Sequence, residues 1–173
     1  MRSPKDMNTS RLDMAPFDFM KVSLDYNYRT IVGADRKQAG DSIRVLSAAS
    51  SHGRWDASVF LMGLLHYVPA DDWEMKIQIA KALEHTPTRE CADLLFAEIR
   101  KVGSSNKTRT YLTTVIDVLA SFPNEIKEPG FRALATDKSF TPKMRRKFAV
   151  LASDEEEDSL SLRMFFDEDP LDV

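Results

Sequence analysis

Cysteine is almost absent from this 173-residue chain, with Cys91 its single example. One cysteine excludes an internal disulfide and any cysteine-based zinc cluster, and it fits a reducing, cytoplasmic compartment. Histidine is scarce as well: His52, His66 and His85 are the full set. None belongs to a His-Glu-x-x-His arrangement, so neither a metal nor another cofactor is expected. Long apolar runs are missing. The longest, residues 59–68, is interrupted by Gly63 and His66 and falls far short of a membrane span. The opening MRSPKDMNTSRLDMAP holds no apolar stretch of signal-peptide length, so neither export by that route nor a membrane partner is expected.

Charge is present in ordinary amount but unevenly placed. Residues 1–87 carry 11 basic and 11 acidic side chains, residues 88–153 carry 12 and 7, and residues 154–173 carry one and nine. The net of −3 therefore hides a moderately basic region followed by a strongly acidic tail. Three segments follow: a polar residue 1–16 stretch expected to be disordered, a domain over 17–153, and a mobile tail over 154–173.

Within the domain the pattern is helical. Residues 17–34 fit two periods, with Phe17, Met20, Leu24 and Tyr28 at helical spacing but Met20, Val22, Leu24, Tyr26 and Tyr28 alternating as in a strand. From Gly40 onward the punctuation is clearer. Asp41 is a candidate N-cap for a helix through Ala49, and Trp55–Tyr67 forms a second that Pro69 stops. Further helices are expected over Asp72–His85, from a Thr88 cap to Gly103, over Lys107–Ser121 and Glu125–Thr136, and from a Thr141-Pro142 start to Ala152. Trp55 and Trp73 fall in first turns and are expected to pack between layers.

The chain also repeats itself. Asp71, Met75-Lys76, Ile79-Ala80 and Ala82-Leu83 are echoed by Met144-Arg145, Phe148-Ala149 and Leu151-Ala152, with an earlier copy at Ile43-Arg44 and Ser47-Ala48. Val115, Ile116, Val118 and Leu119 occupy the same frame. Ile43, Met75, Tyr111 and Met144 are spaced by 32, 36 and 33 residues, with one other helix between each pair. A two-helix unit of that length cannot bury its apolar stripe alone, so units must stack, with Ala80, Ala82 and Ala149 allowing close approach.

This frame resembles the HEAT repeat: a turn aspartate, an apolar and a basic residue, a small-residue frame and a closing Ala-Leu. The resemblance covers residues 40–153 and is strongest at Asp71, Met75, Lys76, Ala80, Ala82 and Leu83. It departs where Leu112 takes the basic position and Lys107 the aspartate position. It implies an all-α, short right-handed α-solenoid of antiparallel hairpins, its second helices lining an inner face that binds a protein partner and performs no catalysis. Three polar stripes would lie side by side there. They are Glu74, Gln78, Lys81 and His85; then Thr110, Thr113, Thr114 and Asp117; then Lys143, Arg146 and Lys147.

Catalytic motifs are weak. Gly103-Ser-Ser-Asn-Lys107-Thr108 lacks both glycines of a phosphate-binding loop, which Lys101 and Asn106 replace, and it follows a helix. Cys91 opens a helix without a base beside it. A rival reading is a nucleic-acid-binding or DNA base-excising helical-repeat protein, which resembles HEAT proteins in architecture and needs a carboxylate among aromatics. Asp117 is the central carboxylate of the expected inner face, and no Trp or Tyr lies three or four residues from it.

The acidic tail contains Leu160, Leu162, Met164, Phe165 and Phe166, an apolar cluster of the kind that forms a linear recognition motif. Ser159-x-x-Leu162-x-x-Phe165-Phe166 resembles a sliding-clamp-binding box with Ser159 in place of glutamine. The tail's charge also complements the basic region, so the two are expected to associate at low salt and compete with a ligand.

Overall fold

The computed structural model describes residues 18–103 and 105–153, and among these every regular element is helical. The expectations for residues 1–16 and for the tail motif Leu160–Phe166 lie outside the described residues. A short 3₁₀ turn, Phe19–Lys21, precedes α1, Leu24–Ile31. Then come α2, Arg36–Ser51, α3, Trp55–Tyr67, and α4, Trp73–Ala82, which tightens into a 3₁₀ turn at Leu83–His85. The chain continues through α5, Arg89–Lys101, α6, Arg109–Ala120, α7, Asn124–Thr136, and α8, Pro142–Ala152.

The caps explain the boundaries. Thr88 and Thr141 accept hydrogen bonds from the Cys91 and Met144 amides at 3.2 and 3.3 Å, satisfying donors that each helix start leaves open. Residues 17–34 resolve in favour of helix: Ser23 caps α1 by accepting from Tyr26 N. Its buried residues are Asn27 and Ile31, with Leu24 half-buried, whereas Met20 and Tyr28 of the expected series are exposed. Asp41 is not a cap. Asp35 starts α2 by accepting from the Lys37 and Gln38 amides, so the helix runs through Gly40 and Asp41. Gly53, at φ 85°, makes the left-handed turn between α2 and α3.

The most extensive packing joins sequence neighbours, α7 with α8 and α1 with α2. α2 lies against α4 and α4 against α6, while α3 covers α2 and α4, α5 meets α6 and α7, and α7 pairs with α8. Their apolar faces form a core cluster from Val22 to Phe148. Its aromatic part is a ladder: Phe96 meets Phe131 edge-on at 5.2 Å, Phe131 stacks on Phe148 at 6.2 Å, and Phe140 meets Phe148 edge-on at 5.3 Å. Gly130 makes room for it, because a Cβ there would stand 2.0 Å from the Phe96 ring. Two expectations about packing are corrected. Ala149 points to solvent rather than into a helix contact, and Trp55 is 51% exposed because its stretch of α3 turns Ala57, Ser58 and Leu61 inward instead.

Candidate functional site

Between α2 and α4 runs an open groove of about 650 Å³. Its uncharged lining includes Gly40, Ile43, Ser47 and Ala82. A Cβ at residue 40 would lie 2.9 Å from Gln78 Oε1, so glycine is what lets this amide sit against the α2 backbone. Ser47 Oγ donates to the Ala82 carbonyl at 3.3 Å, tying the two helices together. The walls carry Arg36, Lys37, Asp41 and Arg44 from α2 and Glu74 and Lys81 from α4. Two of these cations are already committed, Arg36 to Asp72 at 2.5 Å and Arg44 to Asp41.

Asp72 therefore does two things. Its Oδ1 caps α4 by accepting from Met75 N at 3.2 Å, and its Oδ2 holds Arg36 at the start of α2. Asp71, the expected turn aspartate, is exposed; the cap and the ion pair to α2 belong to its neighbour.

The expected contact residues divide. Glu74, Gln78 and Lys81 line the groove together. His85 follows in the 3₁₀ turn and is exposed. On α6, which packs beside α4, Thr110 and Asp117 are exposed and Thr113 is half-buried. Thr114 is buried, and its hydroxyl donates to the Thr110 carbonyl at 2.9 Å. Lys143, Arg146 and Lys147 sit on α8, whose principal packing is against α7, so the structure does not bring the third stripe up to the first two as a continuous face.

Beneath the groove's α4 wall lies a polar cluster that the sequence did not announce. Lys76 Nζ meets Glu98 Oε2 at 3.2 Å, Tyr111 donates its hydroxyl to the same oxygen at 2.9 Å, and Lys101 approaches Oε1 at 3.5 Å. The Lys76 ammonium also lies 5.6 Å from the Trp73 and Tyr111 ring centroids. Burial alone would raise the Glu98 carboxyl, but hydrogen bonds from Tyr111 and Lys76 and the charges of Lys76 and Lys101 outweigh it, holding it below the usual range. Burial and the adjacent carboxylate push the Tyr111 phenol upward. Glu98 is thus the carboxylate among aromatics, but its oxygens are spent on three protein donors inside the core. Nothing marked it in advance, because two of its three partners, Tyr111 and Lys76, lie 13 and 22 residues away on other helices.

Cys91 is buried in the first turn of α5, where burial pushes its thiol up to about 12, so it is an inert core residue. Among the described residues no group of three or more His, Cys, Asp or Glu side chains is placed to hold a metal ion, and no helix is long and apolar enough to cross a membrane. Set against known proteins, the chain matches no family model, no curated protein and no solved structure.

Proposed function

We propose that this protein is a non-enzymatic, protein-binding adaptor built as a short HEAT-like solenoid, with α2, α4 and α6 as its inner helices. The observation that carries the reading is the α2–α4 groove, which Glu74, Gln78 and Lys81 line from α4 beside the uncharged Gly40, Ile43, Ser47 and Ala82. A mixed-charge, amide-bearing, shallow trough suits the backbone and polar side chains of a peptide segment better than it suits a reacting small molecule. The repeat frame and the α2–α4–α6 packing support the solenoid. The tail motif at Leu160, Leu162, Met164, Phe165 and Phe166 is the second proposed contact, composed like an acidic linear motif.

Nucleic acid is the second reading, and it draws on the excess of cations over carboxylates along the groove walls. Both readings are tested by recovering partners from source cells with the full chain and with a Gln78→Ala/Lys81→Glu variant, each with and without nuclease. The adaptor reading expects proteins that the variant loses and nuclease leaves in place. Proteins recovered equally by both baits would move the site elsewhere, and loss to nuclease alone would establish the nucleic-acid reading.

A further inference from the structure

The outer surface of α3 does not look like a solvated helix face. Across WDASVFLMGLLHY the formally charged side chain is Asp56, and Arg54 neutralises it. Ala57, Ser58, Leu61, Leu64 and Leu65 face the core. The opposite side presents Trp55 at 51% exposure, Val59 at 47% and Tyr67 at 82%. These residues and the exposed Gly63 stand four apart, so they form one continuous ridge along the helix. α1 extends the surface with Tyr28 and Val32, and the Tyr28 ring meets Phe60 of α3 edge-on at 6.2 Å.

Three properties of this face point to a partner, and to a particular one. The first is area. The five exposed side chains leave roughly 500 Å² of apolar surface in water, from the 150–250 Å² that each aromatic carries, which is as much as a monomer usually shows. Two such faces closing on each other remove roughly 1,000 Å² of surface, where specific association begins. The second is charge. The neighbouring ionised groups are paired among themselves, Asp56 with Arg54, Asp25 with Arg29 and Asp72 with Arg36. The face therefore offers an apolar ridge with an aromatic ring at each end and a neutralised rim, with nothing to select an acidic or basic partner.

The third is shape. Gly63 has no internal reason to be glycine, since a Cβ there would meet nothing within 4 Å, yet a mid-helix glycine costs about 1 kcal/mol relative to alanine. What it provides is a gap in the ridge, one turn from the Val59 side chain. Beside Tyr67, a cleft of about 370 Å³ opens between Val32, Gly33, Leu64 and Val68. Knob and gap, ring and cleft thus sit at mirrored places along one ridge. Running two copies antiparallel about a two-fold axis midway between residues 59 and 63 sets each Val59 over the other copy's Gly63. It also sets each Trp55 toward the other copy's Tyr67 cleft.

We propose that the α1–α3 face is a homodimer interface, closed by a second copy of this chain through antiparallel α3–α3 packing. The contact is isologous, so it terminates at two copies instead of growing into a filament. Its Tyr67 cleft and the groove between α2 and α4 share Arg36 on their rims, and a dimer carries two grooves, which raises its avidity for any partner with two segments.

The test is sedimentation of the full chain over the micromolar range, alongside Val59→Glu and Tyr67→Ala. Both substitutions are at exposed positions, and circular dichroism checks that each variant keeps its helices. The wild type is expected to move from 19.6 kDa towards twice that mass, with each variant weakening association by ~30-fold or more, the loss typical of a central hot spot. A second measurement asks for geometry. Val59→Cys and Gly63→Cys chains, mixed and mildly oxidised, should form the mixed disulfide in preference to either self-disulfide, with the buried Cys91 taking no part. A wild type that stays monomeric throughout, or variants that dimerise as well as it does, overturns the proposal. So does the appearance of dimer only after Phe165→Ser/Phe166→Ser, which would show the chain's own tail covering this face.

Discussion

Lys76 and Arg145 hold matching positions in the frame expected from the sequence, one after Met75 and the other after Met144, and their fates differ. Lys76 on α4 is followed by another helical unit, whose α5 and α6 bring Glu98 and Tyr111 to it. Arg145 on α8 has no such unit after it among the described residues, and its Nε is buried without a hydrogen-bond partner. Arg44, in the first copy, is exposed and pairs locally with Asp41; in the third copy the position is Leu112, which is buried and apolar. One frame position therefore meets four environments. A basic residue there gains from the core only when the next unit supplies its counter-charge.

The largest expected effect breaks the satisfied member of that comparison. Glu98→Leu leaves the Lys76 charge buried and uncompensated, and it should cost about 3–5 kcal/mol of stability in chemical denaturation. Adding Lys76→Met should return most of that loss, because an apolar pair of similar volume has no desolvation cost to offset. If the double variant were no more stable than Glu98→Leu alone, the buried charge would not be the cause.

Next in size is Gly130→Ala. The added methyl would overlap the Phe96 ring, so a loss of about 1–3 kcal/mol is expected, with the ladder repacked. Arg145→Met sharpens the contrast from the other side. Removing a buried donor that nothing satisfies should leave stability unchanged or raise it by about 1 kcal/mol, the opposite sign to any single change at Glu98.

The pH dependence follows from the same cluster. The folded Glu98 carboxyl is held below its ordinary value, so its contribution is present above the unfolded pKa of about 4.3 and is lost as pH falls through the folded value. Wild-type stability should therefore fall on acidification below about pH 4 more steeply than that of the Lys76→Met/Glu98→Leu variant. The smallest effect is kinetic: Cys91, buried with its thiol raised to about 12, should resist thiol reagents in the native protein and report only opening of α5.

Much of the helical pattern was legible because its signals are local. Thr88, Thr141 and Pro69 act within a few residues, and the structure puts boundaries beside them. The start of α2 was missed because Gly40 reads as a break, whereas its smallness serves Gln78 on another helix. The exposure of Trp55 was missed because α3 is apolar almost all round, so periodicity carried no information about which side faces the core. Lys76 was legible as a frame residue but its partner was not, since Glu98 lies 22 residues on and no local pattern links them. Of the expected inner face, Glu74, Gln78 and Lys81 share a groove because they lie on one helix at helical spacing. The α8 stripe depended on where α8 packs, which no spacing encodes.

The most direct test of the central claim is photo-cross-linking in source cells from an activatable residue at position 78, which lines the groove, and at position 132, an exposed site on α7 outside it. Protein adducts formed from position 78, insensitive to nuclease and absent from position 132, are the predicted result. Adducts equal at both positions, or none from 78 while the protein co-purifies with partners, would contradict binding through the α2–α4 groove.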